Sequence, residues 1–596
     1  MKKVFLIHSK KNYPKGLDGK VVYSGRWCLL SKHIKKSTEN FEILTYHWDD
    51  RIKLHKDFEK IFIFYRSVLE LIANQLNKFH NKNYDLRYWE IIIGPWLQDF
   101  IYVLFDRWKI VKTFKEEYKN TKKIAFIDYY DSYDAPFDYQ EYQREMHDTG
   151  DLSNQIFYEI LKLEKIDFLT KPLTRTYQEE FHLKHSLKRL SISYLTRIWN
   201  KVGSFFGDDK YFFIGHSLDL FPYLKIKLKL AQFPFLWRPL KEDVQKRYHM
   251  SKFREKKLSL ENIDYLDSRL VNIFEKLLYK YIPIIYLEGY NDAIHKVKKS
   301  NWPIRPKIIF TSISWNSDEY FKLWSAQKVI QGSKLIGNQH GGNYGISKFN
   351  ISEKHEYSIC DYYISWGWSD NRKKIIPGFN LKLINKVKSQ KNSKNQGVLL
   401  TQMTLPLMFY SAYSVPIGLG QWEKYFIDQK IFYDNLENEI KNEVIIRTHP
   451  KDYGQNQKSL WKSISDNIYF DNNQSFHKSI FTKKIVISSY NATTFLETMA
   501  LNIPTIIFWS PEFWEMRDGS DEFFKRLKKV GIWHDSPLSA STFLNSIWLN
   551  IDEWWFSEKV QSEKNYFCKK FSNLDKSNAS HTIGVLNNLN DKKWDD

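Results

Sequence analysis

Cysteine is scarce: Cys28, Cys360 and Cys568 are the only three in 596 residues, and no two stand at CxxC spacing. That argues against a disulfide framework or a cysteine zinc site and suits a reducing cytoplasm. Acidic residues are in deficit, 69 Asp and Glu against 90 Lys and Arg, for a formal charge of +21. The balance favours acidic partners: nucleotide-sugars, anionic glycans, or the negative cytoplasmic face of an inner membrane as a peripheral contact. Nucleic acid is not expected, since lysine is spread through the chain without a basic block or recognition motif. No run of about 18 apolar residues is present, which argues against a spanning helix. The opening Met1–His8 loses its apolar character after four residues, so it reads as a first strand and not as a signal peptide. Gly16, Gly19 and Gly25 do not form GxGxxG, and the acidic run Asp128–Asp138 lacks Asp-x-Asp spacing. It reads as a solvated loop, and no metal site is expected.

What is present is length, aromatic side chains and short β-branched runs. A chain of 596 residues is too long for one core. Residues 57–120 read as long aromatic helices, one of them beginning after Gly94-Pro95-Trp96. Lys307–Ser312, Lys334–Gly337 and Tyr362–Trp366 alternate with helices as strands of a doubly wound sheet. The Lys-, Asn-, Ser- and Gln-rich tract 386–396 reads as a linker, and Gly397–Thr401 opens a second sheet. The expected division is therefore an N-terminal Rossmann-like domain over 1–385 with helical insertions, the linker 386–396, a C-terminal Rossmann-like domain over 397–550, and a returning helix with a polar tail over 551–596.

The stretch from Glu443 to Phe508 carries the chemistry. Val444-Ile445-Ile446-Arg447-Thr448-His449-Pro450 is a buried strand ending in histidine and proline. Ile485-Val486-Ile487-Ser488-Ser489-Tyr490-Asn491 is another strand, and Ala492, Phe495, Leu496, Met499 and Ala500 then share one helix face. Such a strand–loop–helix unit aims backbone N–H groups at an anion. Ser488 and Ser489 offer hydroxyls, and Asn491 or Thr493 caps the helix. Glu497, one turn further in, suits ribose hydroxyls. His449, flanked by Arg447 and Pro450, suits a phosphate oxygen whose charge grows as a glycosidic bond breaks. Serine and asparagine are also ordinary caps, and a histidine before proline is also an ordinary turn residue.

The pair His449-Pro450 and Ser488-Ser489 resembles the HP and SS motifs of bacterial glycosyltransferases that use CMP-activated sugars, such as sialyltransferases and Kdo transferases. In those families both motifs bind the nucleotide phosphate in the C-terminal domain of a GT-B fold. Asn338–Gly345, Trp366-Gly367-Trp368 and Gly94–Leu97 are similar to a family of surface-carbohydrate (O-antigen) transferases over most of the chain. The resemblance implies an α/β GT-B fold of two Rossmann-like doubly wound sheets facing a cleft. It implies no cofactor and no metal, with the nucleotide-sugar donor as substrate. Gln339, His340, Gly341 and Gly342 would face the acceptor, a glycan or lipid-linked glycan. Asp318 and Glu319, in a loop after a strand, are placed to supply a catalytic base. Glu288-Gly289 matches the acidic-acidic-glycine motif of sialyltransferases only in part, because Leu287 replaces the first acid. Three readings follow: a cytoplasmic transferase of a Kdo-like or nonulosonic acid from CMP; a transferase using a nucleotide-diphosphate sugar or CDP-polyol; or a non-catalytic glycan- or nucleic-acid-binding protein on the same scaffold.

Overall fold

A computed structural model describes residues 2–8, 16–29, 41–169, 172–173, 187–240, 248–256, 258–260, 263–384, 386, 396–405, 418, 421–473, 475–574 and 583–588. Most of the expected linker and of the polar tail lies outside the described residues. Among the described residues, sixteen short strands form three sheets whose pairings are all parallel. The first holds β1 (Lys3–Ile7), β2 (Lys20–Tyr23), β3 (Phe41–Ile43), β4 (Lys122–Phe126) and β5 (Asp167–Phe168), in the order β3-β2-β1-β4-β5. The second holds β6 (Tyr211–Phe213), β7 (Ile308–Thr311), β8 (Lys334–Asn338), β9 (Tyr362–Ser365) and β10 (Ile375–Pro377), laid side by side in chain order. The third holds β11 (Val398–Thr401), β12 (Val444–Arg447), β13 (Tyr469–Phe470), β14 (Ile485–Ser488), β15 (Thr505–Phe508) and β16 (Trp533–His534), in the order β13-β12-β11-β14-β15-β16.

Residues 1–385 thus carry two sheets where the sequence suggested one. The extra sheet was hard to see because its strands are two to five residues long and fall between long helices. The third sheet reverses its strand order between β11 and β14, and such a reversal opens a crevice at the carboxyl edge where ligands bind. β7, β11, β14 and β15 are buried at every residue, as strands covered on both faces must be.

Two helices, Arg51–His80 and Leu86–Glu117, pack together beside the first two sheets. Asp50 and Asp85 cap them, accepting from Lys53 N (3.0 Å) and Tyr88 N (2.8 Å). Gly94-Pro95 does not precede the second helix but lies inside it. Packing on all sides overrides the local penalty of an interior proline. A Cβ at Gly94 would meet His355 Cε1 at 2.5 Å, so glycine permits the close approach of the helix Ile351–Ile359. The acidic run is not wholly solvated: Asp128 and Asp138 are buried, and Asp138 caps a helix by accepting from Glu141 N at 2.7 Å.

After the third sheet the chain returns to the second. The helix Glu558–Phe571 leads to Asn573, which donates from N to Trp366 O and accepts at O from Asn380 N, both 2.8 Å. Ile583 and Leu586 then join the core of the second sheet with Phe310 and Ile364. The second and third sheets also meet at an antiparallel bridge between Ser347 and Met516.

Candidate nucleotide site at the third sheet

The reversal between β11 and β14 opens a pocket of about 220 Å³. It is lined from the ends of three strands: Thr401 and Gln402 at the end of β11, Arg447 to Pro450 at the end of β12, and Tyr490, Thr493 and Thr494 after β14. Lys382, Phe476 and Glu497 complete it. This volume is below the roughly 300–1,000 Å³ of pockets that enclose a whole ligand. It suits the phosphate and ribose of a nucleotide, with the remainder in the open cleft.

The helix Thr493–Ala500 begins without a side-chain cap, its N-cap residue being Ala492 and not Asn491 or Thr493. Thr493 Oγ1 instead accepts from Gly342 N of the second sheet at 2.7 Å, and Asn343 Nδ2 donates to Asn491 O at 3.2 Å. The first-turn N–H groups are thereby left for an anion, at the positive end of the helix. The Gly341-Gly342 turn thus meets the helix start directly. A Cβ on Gly341 would sit 2.7 Å from Thr493 Oγ1, so Gly341→Ala must rotate Thr493 and break the Gly342 contact. Nucleotide affinity is expected to fall by about 0.5–1.5 kcal/mol, and the added loss should vanish in a Thr493→Ala background. Calorimetry on the four-member cycle reads both.

His449 is half-buried, with Nδ1 3.0 Å from Lys451 O and 3.2 Å from Lys451 N. Burial lowers its pKa, with the Lys451 charge adding to the effect and a backbone hydrogen bond opposing it, so the ring is neutral at pH 7. In the tautomer where Nδ1 accepts from Lys451 N, Nε2–H is the remaining donor. Arg447 is held by Asp471 and by Asn473 O (3.0 Å), and its guanidinium lies 5.6 Å from the Phe476 ring centre. Glu497 is buried, with Lys382 Nζ 2.6 Å from Oε1 and His477 Nε2 3.1 Å from Oε2. Burial pushes its pKa up, but His477 and Lys382 outweigh that and hold it below the usual carboxylate value. Glu497 is thus held as a carboxylate at the pocket wall, and the lone pairs left beyond these two contacts are what it offers to ribose hydroxyls.

Arg447, His449, Pro450, Thr493 and Glu497 therefore share one pocket. The remaining candidates stand elsewhere. Ser488 and Ser489 are buried: Ser488 Oγ donates to Tyr490 O (3.3 Å), while Ser489 Oγ donates to Thr401 O (3.0 Å) and pairs with Tyr425 OH (2.9 Å). Their hydroxyls brace the loop and do not line the pocket. Gln339 is a strut, its Oε1 accepting from Trp366 N (3.0 Å) and Trp368 Nε1 (2.9 Å). Asp318 caps the helix Glu319–Ile330 by accepting from Phe321 N at 2.9 Å. Glu319 is buried against Lys322 (2.6 Å) and Tyr286 OH (3.1 Å), which removes it from any substrate path. Glu288 is likewise committed, its two oxygens 2.8 and 2.7 Å from Arg254. His340 has its pKa lowered to about 4 by burial, then by Lys382. Its Nδ1 lies 3.7 Å from Glu356, a buried carboxyl pushed up to about 8 by burial and hydrogen-bonded to Tyr344 and Tyr363.

One constellation is invisible to local pattern. A π-helical turn, Arg144–Thr149, docks on the loop after His449 through Asp148 Oδ2 and Lys451 Nζ, 3.1 Å apart. Such turns often mark functional sites. The adjacent His147 has Nε2 3.8 Å from Asp99 Oδ2. Asp99 is fully buried in the helix Leu86–Glu117; Tyr139 OH donates to Oδ2 at 3.3 Å, and Oδ1 has no partner among the described residues.

Parallel α/β sheets meeting at their carboxyl-edge loops, with a terminal helix crossing back and a pocket at the order reversal, define a GT-B protein. The chain matches the model of the LIC12162 family transferases over residues 4–582, and it belongs to that family. No curated protein sequence matches it. Similar solved structures include a wall teichoic acid polymerase TagF variant soaked with CDPG, at 14% identity, covering 50% of this chain and 84% of that one with a TM-score of 0.27. Acinetobacter baumannii MurG is 8% identical, with coverages of 50% and 79% and a TM-score of 0.28. The spinosyn rhamnosyltransferase SpnG with spinosyn aglycone is 8% identical, with coverages of 50% and 76% and a TM-score of 0.29. At these scores the likeness carries no argument about activity.

Proposed function

We propose that this transferase moves a sugar from a nucleotide donor to a glycan or lipid-linked glycan in surface polysaccharide (O-antigen or capsule) synthesis, on the cytoplasmic side and without a metal. The observation that carries the reading is the uncapped helix start at Thr493, which shares one pocket with His449, Arg447 and Glu497. Helix N–H groups, the His449 N–H and the Arg447 charge supply the stabilisation that a divalent ion supplies elsewhere. Glu497 takes the ribose hydroxyls. The acceptor oxygen attacks the anomeric carbon, the bond from that carbon to the phosphate oxygen breaks, and the nucleotide leaves with the electron pair. The acceptor proton passes to a base on the other side of the cleft, the place we assign to His147 backed by Asp99.

The donor in this reading is a CMP-activated Kdo-like or nonulosonic acid, supported by the resemblance of the sequence pair His449-Pro450 and Ser488-Ser489 to CMP-sugar motifs, of which His449-Pro450 lines the pocket and Ser488-Ser489 braces the loop behind it. A nucleotide-diphosphate donor, as an ordinary sugar or a CDP-polyol, is the second reading, supported by the two cationic side chains that line the pocket, Arg447 and Lys382, each beside a carboxylate partner, Asp471 and Glu497, that a diphosphate would compete with. Calorimetric titration with CMP, CDP, UDP and GDP separates the two. CMP is expected to bind and to raise the melting temperature, with or without chelator. Loss of binding on chelation while the fold persists overturns the metal-free assignment, and binding of none of the four overturns the donor site itself.

A further inference from the structure

We infer that the helix Leu187–Ser204, its exposed tip Phe205-Phe206 and the neighbouring helix Leu220–Lys229 form a docking surface for an anionic lipid bilayer. The sequence of the two helices contains Lys188, Arg189, Arg197, Lys201, Lys225, Lys227 and Lys229, and no aspartate or glutamate. Ten of the twenty-five exposed large hydrophobic side chains among the described residues fall between Tyr194 and Leu228. Phe205 and Phe221 are 83% and 79% exposed, and Leu195, Phe206 and Leu228 exceed 60%. No comparable concentration occurs elsewhere among the described residues. Monomeric soluble proteins seldom expose contiguous apolar patches of this kind unless something covers them.

Among the described side chains, the contacts that hold the first helix lie along one side. Asn200 Nδ2 donates to Leu236 O (3.1 Å) and its Oδ1 accepts from Leu236 N (2.8 Å), while Trp199 Nε1 donates to Pro234 O (2.9 Å). Gly203 lies against Phe233, and Phe206 stacks on that ring at 5.5 Å. Tyr194, Ile198 and Val202, four residues apart, form the opposite, solvent-facing stripe. The second helix packs on the same strap, Tyr223 OH donating to Phe235 O.

Charge selects the occupant. The described acids beside the patch are engaged: Asp209 is buried with Lys227, Asp208 accepts from Ile304 N and Arg305 N, and Asp219 pairs with Lys386 at 2.7 Å. Arg197, Lys201, Lys210 and Lys225 are exposed and make no ion pair among the described residues. Exposed Phe, Leu and Trp interleaved with Lys and Arg on an acid-free helix is the pattern that seats in an anionic headgroup region. A second copy of the same basic face would be repelled by it. No helix among the described residues is long and apolar enough to cross a membrane, so the contact is peripheral.

The test is flotation of the full chain with phosphatidylcholine vesicles, with and without phosphatidylglycerol. Binding is expected only to the anionic vesicles, and it should weaken as salt rises from roughly 0.05 to 0.5 M. Arg197→Glu/Lys201→Glu should lower partitioning by at least about 30-fold. Phe205→Ser/Phe206→Ser/Phe221→Ser should abolish it, with circular dichroism and nucleotide titration unchanged because all three side chains are exposed. Equal binding to neutral vesicles, or flotation of the triple variant at the wild-type level, overturns the inference. So does a dimer in sedimentation that the triple variant dissolves, since the patch then seats a second copy. Nucleotide titration is independent of vesicles, so failure here leaves the transfer reading standing and is distinguishable from its failure.

Discussion

Replacing His449 with alanine is expected to lower turnover by about 100-fold, or roughly 2.7 kcal/mol, while nucleotide affinity falls by only about 0.5–1.5 kcal/mol. The asymmetry follows from the pocket. His449 is neutral, since burial lowers its pKa, and Lys451 anchors Nδ1 from the backbone. A neutral N–H gains little from a resting phosphodiester and more as the leaving phosphate takes up charge, so its contribution grows toward the transition state. Arg447 and the start of the Thr493–Ala500 helix hold the ground-state charge whether or not the imidazole is present. Calorimetry and initial rates on the same preparation separate the two quantities. A rise in dissociation constant that matches the whole rate loss would show uniform binding and remove the leaving-group role. His147→Ala, measured beside it, should lower transfer with nucleotide binding unchanged, because the proton it takes belongs to the acceptor.

Glu319→Ala is expected to destabilise the protein by about 3–5 kcal/mol, because it leaves the Lys322 ammonium buried without its anion. Lys322 has no exposed side-chain surface, lies 2.6 Å from Glu319 and donates to Tyr286 OH at 3.1 Å. No other carboxylate forms an ion pair with Lys322 among the described residues, and its side chain has no surface through which bulk solvent could replace the lost partner. Denaturant unfolding should show a lower midpoint at an unchanged slope. Removing both charges in Glu319→Ala/Lys322→Met should recover much of the loss, since a desolvated pair is often no better than an apolar replacement. Nucleotide affinity of the folded single variant should equal wild type. If Glu319→Ala kept full stability and lost only transfer, the buried pair would be catalytic after all.

Much of the backbone was legible in the chain itself. β7, β8, β9, β11, β12, β14 and β15 fall on the continuous apolar runs, because a parallel sheet covered on both faces demands apolar side chains on both. The helix after β14 was legible from the spacing of Phe495, Leu496, Met499 and Ala500, all of which are buried. Strands of two residues, such as β5, β13 and β16, carry no periodicity at all. Gly94-Pro95 was misread as a boundary because its neighbours, His355 among them, come from distant sequence.

The site divides in the same way. Arg447, His449, Pro450, Thr493 and Glu497 meet in one pocket because a strand end or a helix start dictates where the next residues lie. Ser488 and Ser489 stay out of it, since their hydroxyls are claimed by Tyr490 O, Thr401 O and Tyr425 OH, and a hydroxyl takes whichever partner the tertiary structure offers. Lys382 and Phe476 reach the pocket from segments with no motif, and Asp99 meets His147 only because a π-turn and a buried helix cross. The sequence by itself determined the order of strands and helices and the anion-binding end of one of them, because periodicity and helix polarity are local. Only the tertiary structure decided which hydroxyls brace the loop, which carboxylates are buried as caps and ion pairs, and what faces the pocket, because burial and hydrogen-bond competition depend on how distant segments pack, as where Ser489 meets Tyr425 and Thr401, and Thr493 meets Gly342.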